Sequence, residues 1–93
     1  MLLLPATLTA HEARDTLRML TQAIQGQPES VEIDASPLVH FDSSALSVLL
    51  ECQRQAQGWG KAFVLRAPPP KLAALAKLYG IDALLIPAGT APV

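Results

Sequence analysis

A chain of 93 residues suits one compact domain and at that size buries only ~60–65% of its unfolded surface, so its core must be used economically. Hydrophobic residues make up 51% and charged residues 16%, which excludes a disordered tail, and with aromatics at 4% the core must be aliphatic. The net charge of −1 and the scatter of Arg14, Arg18, Arg54, Lys61, Arg66, Lys71 and Lys77 exclude the basic face that phosphate backbones require, so no nucleic-acid partner is expected.

Met1-Leu2-Leu3-Leu4-Pro5 is apolar but too short for a signal peptide and lacks a basic leading region; residues 2–4 read as a short strand that Pro5 ends. Thr9, with Glu12 three residues on, has the spacing of a capping box. Behind it Ala13, Leu17, Leu20 and Ile24 recur at helical spacing, so a first helix is expected, stopped by Gly26 and Pro28. Val31-Glu32-Ile33-Asp34-Ala35 alternates and carries β-branched residues, which predicts a strand broken by Ser36-Pro37. Leu38-Val39-His40-Phe41 reads as an apolar connection.

Asp42-Ser43-Ser44 then supplies three side chains able to cap a helix. The apolar-periodic segment behind them predicts a second helix to about Gln57, with Gly58 and Gly60 as the positive-φ residues of its stop. Ala62-Phe63-Val64-Leu65, within Lys61 to Arg66, predicts a buried strand. Pro68-Pro69-Pro70 suits a helix start, and Leu72, Leu75, Ala76 and Tyr79 form the apolar stripe of a third helix closed by Gly80. Ala83-Leu84-Leu85-Ile86 reads as a last short strand or turn, and Pro87 to Val93 as a flexible tail. Strand-helix alternation repeated three times implies an α/β layer structure in a single domain, residues 1–93, with a largely parallel or mixed sheet of about four strands and three helices packed on it.

Patterns that would carry catalysis are missing. No Gly-x-Ser-x-Gly elbow occurs, and Ser43 and Ser44 have no base in fixed register beyond His40 three or four residues earlier. Metal-ligand pairs and phosphate-binding glycine loops are also lacking, so neither enzyme activity nor a cofactor is expected. Cys52, the single cysteine, falls on the apolar side of helix two as a core residue; it permits no intrachain disulfide and suits a reducing compartment. No apolar run approaches the ~20 residues that cross a bilayer, and a cytoplasmic location is the expectation by elimination.

The informative segment is Phe41-Asp42-Ser43-Ser44-Ala45-Leu46. An Asp42 carboxylate would satisfy free amides at the positive end of the helix, leaving the serine hydroxyls at the tip near the surface. A phosphate there would meet helix amides and set close to two negative charges beside Asp42; a well-capped helix with no further role is the alternative. Along the helix, Ala45, Val48, Leu49, Cys52 and Ala56 share one side, with Leu46 at its margin. Ser43, Ser47, Glu51 and Arg54 take the other. Leu50 stands among the polar residues, where it contacts a partner or packs against helix three.

At these residues the sequence resembles the STAS family: anti-sigma-factor antagonists, cytoplasmic domains of sulfate transporters, and small subunits of lipid ABC transporters. Asp42-Ser43-Ser44-Ala45-Leu46 is similar to the family's helix start after its strand (Val31 to Ala35). The resemblance covers nearly the whole chain, with residues 2–4 standing for the family's second strand. Leu75-Ala76-Lys77-Leu78-Tyr79-Gly80 and the Leu-Leu-Ile-Pro ending look like the STAS subunit of Mla-type phospholipid transporters. That resemblance implies a non-catalytic accessory subunit of phospholipid transport, which supports lipid asymmetry and lies peripheral to the inner membrane only through its complex. It also implies an ATPase partner, bound through Asp42, Ser43, Ser44, Ser47, Leu50 and Arg54, with Ser43 matching the contact hydroxyl. The wider resemblance implies the alternative, an anti-sigma-factor antagonist whose kinase partner phosphorylates a serine, matching Ser44 with Ser43 as its neighbour. Ala45 departs from the glycine usual in those antagonists, and its methyl group hinders close backbone approach by a kinase.

Overall fold

In the computed structural model, which describes residues 2–27 and 29–85, the elements in chain order are β1 (Leu2–Leu3), β2 (Thr7–Leu8), α1 (Ala10–Gln25), β3 (Ser30–Asp34), β4 (His40–Phe41), α2 (Ser43–Gly58), β5 (Ala62–Arg66), α3 (Pro70–Leu78) and α4 (Asp82–Leu85). The main sheet runs β1-β3-β5 with every described pairing parallel. Its register sets Ile33 beside Leu2 on one side and Leu65 on the other. The alternation of β3 sorts its faces: Val31 and Ile33 are fully buried, while Glu32 faces the other way and pairs with Arg66 at 2.7 Å.

The α/β layering holds as expected, and two differences arise from pairing. Thr7–Leu8 and His40–Phe41 form a second parallel ladder, with Leu8 opposite Phe41, where only loop and connection were expected. A two-residue ladder has no periodicity to read. It nonetheless carries both helix starts, because Thr9 and Asp42 directly follow the paired residues. The second difference is Asp82–Leu85, a short helix where the sequence suggested a strand or turn. Leu85 is buried there, and the backbone amides of Leu84 and Leu85 bond back to the Ile81 carbonyl. Pro28, Ile86 and the tail from Pro87 lie outside the described residues.

The caps behave as their chemistry dictates. Thr9 and Glu12 form the reciprocal box, the Thr9 amide donating to Glu12 Oε1 at 2.8 Å. Both α2 and α3 end in the same motif: Lys61 and Gly60 amides return to the Ala56 and Gln57 carbonyls, and Ile81 and Gly80 amides to those of Ala76 and Lys77. Each motif needs a left-handed residue, supplied by Gly60 and Gly80, both at φ 71°. Gly58, expected to share that duty, is the last residue of α2 instead. The end of α1 has no basic residue of its own. Lys61 provides one from the α2–β5 turn, its Nζ donating to the carbonyls of Ile24 at 2.8 Å and Gln25 at 3.2 Å, where a cation complements the helix dipole. The ring centroid of Trp59 lies 5.6 Å from the same ammonium.

The core is aliphatic. Leu20 and Ile24 of α1 and Leu49, Cys52 and Ala56 of α2 are fully or nearly fully buried together with Leu8, Ile33 and Leu72. Leu46, assigned to the margin of the apolar face, is buried. Tyr79, assigned to the stripe of the third helix, is instead 57% exposed: it is the C-cap residue and projects past the end of the packed face.

Candidate functional site

The start of α2 is held by its own residues. Asp42 is extended (φ −130°, ψ −164°) and its Oδ1 accepts the Ser44 amide at 2.8 Å, while its carbonyl accepts the Ala45 amide at 3.0 Å. The Ser44 amide holds the Asp42 carboxyl below its ordinary value, because the bond is made to the charged form. Asp42 and Ser43 are exposed and Ser44 is half-buried, while Ala45 and Leu46 go into the core. The tip is therefore polar and accessible for about one turn.

Beside it lies an open groove of about 320 Å³ lined by Ser43, Leu46, Ser47, Leu50, Tyr79 and Ile81. One wall is α2, whose Ser43, Ser47 and Leu50 are successive residues of one face. The other is the turn closing α3, where the Gly80 motif sets Tyr79 and Ile81 across from Leu50. The floor is aliphatic and the rim carries two hydroxyls and a phenol, so the groove can receive an apolar side chain and hydrogen-bond the backbone around it. Its volume is at the lower end of small-molecule pockets, roughly 300–1,000 Å³.

Of the six residues assigned from sequence, the groove brings Ser43, Ser47 and Leu50 together. Asp42 caps the helix behind them. Ser44 lies at the tip outside the lining. Arg54 stands further along α2, its guanidinium bound to Glu51 by two bonds of 3.1 and 2.6 Å; this pair holds the Glu51 carboxyl below its ordinary range. Leu50 is half-buried, packs against the core and lines the groove. Sequence reasoning missed Tyr79 and Ile81. The available signal was Gly80, whose left-handed turn brings its neighbours back toward α2.

Other chemistry finds little purchase. His40 is exposed and no hydrogen bond joins it to Ser43 or Ser44. The Cys52 thiol is fully buried, and burial pushes its pKa up to about 12, away from the thiolate that nucleophilic or metal-binding cysteines need. Among the described residues no group of three or more His, Cys, Asp or Glu side chains is arranged to hold a metal ion. No helix among them is long and apolar enough to cross a membrane.

The capping carboxylate gives an expected pH response. A carboxyl held low in the folded state contributes stability that is present above its unfolded value, near 3.8 for Asp42, and is lost as pH falls through the lower folded value. Asn caps almost as well as Asp but does not titrate. Asp42→Asn is thus expected to melt close to the wild type at pH 7 and to lose less stability than the wild type between pH 4 and pH 2. Thermal melts across that range check this; parallel curves would contradict the carboxylate's role.

Comparison with known proteins adds one positive finding. A protein-family model described as "Mlab, STAS domain" matches residues 2–87, a span that includes every element described above. No curated protein matches the chain.

Proposed function

The chain belongs to the STAS domain family, and on that footing we propose that it is a non-catalytic accessory subunit that binds the cytoplasmic ATPase of a phospholipid ABC transport system through the start of α2. STAS domains are generally binding domains that act through protein–protein contacts rather than catalysis. The observation that carries the reading is the accessible tip, Asp42-Ser43, joined to an apolar groove that no described residue fills. The description of the matched family model points toward the lipid-transport branch, as do Leu75-Ala76-Lys77-Leu78-Tyr79-Gly80. Attachment to the inner membrane is then through the complex, with the domain itself in the cytoplasm.

The test is co-purification with the cognate nucleotide-binding subunit. The wild type is expected to elute with it, and Ser43→Glu, which adds a second carboxylate beside Asp42 at the groove rim, to elute alone while keeping its helical circular dichroism. An intact complex with Ser43→Glu would remove this surface from the interface.

A second reading, an anti-sigma-factor antagonist switched at Ser44, is favoured by the half-exposed position of that residue in the first turn of α2, where a phosphate would meet the positive end of the helix. It requires one phosphate on Ser44 after incubation with a cognate kinase and ATP, read by mass spectrometry. An unmodified chain beside a modified positive control would dismiss it.

A further inference from the structure

Between residues 52 and 81 the chain has five cations and no Asp or Glu. Three of the five are engaged within the fold: Arg54 with Glu51, Arg66 with Glu32, and Lys61 with the carbonyls ending α1. The remaining two, Lys71 and Lys77, both lie on α3 and are exposed; no ion pair or side-chain hydrogen bond joins either to another described residue. They flank an apolar stripe. Lys71, Ala74 and Leu78 stand at i, i+3 and i+7 on one face of the helix, and Lys77 borders that face on its other side. Leu78 is 78% exposed, the most exposed large hydrophobic residue among those described. The opposite face of α3, with Leu72 and Ala76, is the one turned to the core. Leu78 is followed in the chain by Tyr79, which lines the groove beside α2.

We infer that the outer face of α3 is a second docking surface, for an amphipathic helix of the partner protein that carries carboxylates on either side of an apolar seam. The inference rests on the reading of the chain as a binding subunit and names the chemistry of what it binds. Unpaired lysines beside an exposed leucine are what such a helix would neutralise and cover: apolar burial supplies affinity, and the flanking charges set register and speed association. A bilayer is the other anionic surface such a face could meet. Electrostatic attachment to one takes clusters of roughly four to eight cations, whereas α3 offers only Lys71 and Lys77.

The test titrates the full-length chain against the cognate nucleotide-binding subunit at low and moderate salt. Wild-type affinity is expected to fall as salt rises. Lys71→Glu/Lys77→Glu is expected to weaken binding about ten-fold or more and to reverse the salt dependence, so that affinity rises with salt, with Leu78→Ser weakening it by a similar factor. Lys71→Arg/Lys77→Arg keeps the charge and should stay within about two-fold, and so should the control Arg14→Glu/Arg18→Glu on α1. Wild-type binding that is indifferent to salt, to the lysine reversal and to Leu78→Ser overturns this inference alone. No wild-type binding at all overturns the reading beneath it as well. Sedimentation of the isolated wild type, but not of the double Glu variant, with phosphatidylethanolamine–phosphatidylglycerol vesicles would assign the face to a bilayer and overturn the proposal.

Discussion

Leu49→Ala is expected to destabilise the domain by about 3 kcal/mol, within the roughly 2–5 kcal/mol found for such truncations in cores. Leu49 has no exposed surface and sits in the middle of α2, among Cys52 and the other residues that hold the helical layer to the sheet. The change removes transfer free energy and leaves a cavity whose walls, packed at crystal-like density, close only partly. For a chain of this size the total stability is about 5–14 kcal/mol, so one such change consumes a large share of it. The melting midpoint should fall by roughly 12–24 °C. Leu78→Ala is the matched comparison: the same atoms are removed from a side chain that is 78% exposed, and the expected change is within about 0.5 kcal/mol. Urea or thermal unfolding of the two variants decides the matter; equal effects would refute the packing described for α2.

Leu50→Ala separates the two roles of that residue. Being half-buried, Leu50 should lose only about 1–2 kcal/mol of folding stability on truncation. In the groove, however, it forms an apolar wall with Tyr79 and Ile81 across from it, which a docked apolar side chain would touch. Affinity for the nucleotide-binding subunit is expected to fall by about 10- to 100-fold. Paired measurements, an unfolding curve and a binding titration on the same protein, read the two effects separately. A large loss of stability with unchanged affinity would mean that Leu50 serves only the packing of the α3–α4 turn against α2.

Local chemistry made much of the fold legible. The Thr9–Glu12 box, the Asp42 cap and the glycines after α2 and α3 act on amides and carbonyls within a few residues of themselves, so their effect survives without knowledge of the tertiary structure. The same holds for the apolar stripe of α1 and for the alternation of β3. Where a side chain's neighbours come from distant parts of the chain, sequence reading failed. Tyr79 fits a helical stripe by spacing, yet the helix ends before it can be buried. Asp82–Leu85 has the apolar composition of a strand, and becomes a helical turn because Leu85 reaches the core from the end of the α3 turn.

The candidate site divides along the same line. The sequence alone determined that a capped helix begins at Asp42 and that Ser43, Ser47 and Leu50 share one of its faces, since helical periodicity needs no partner. The tertiary structure decided that this face borders a groove. The second wall, Tyr79 and Ile81, lies about thirty residues away, and only the packing of α3 and α4 against α2 brings it near. It also decided which cations remain free on the surface. Arg66 finds Glu32 through strand pairing and Lys61 finds the end of α1 through the packing of the layers. Charge is a property of the residue, but whether it is neutralised depends on which distant groups folding brings within reach.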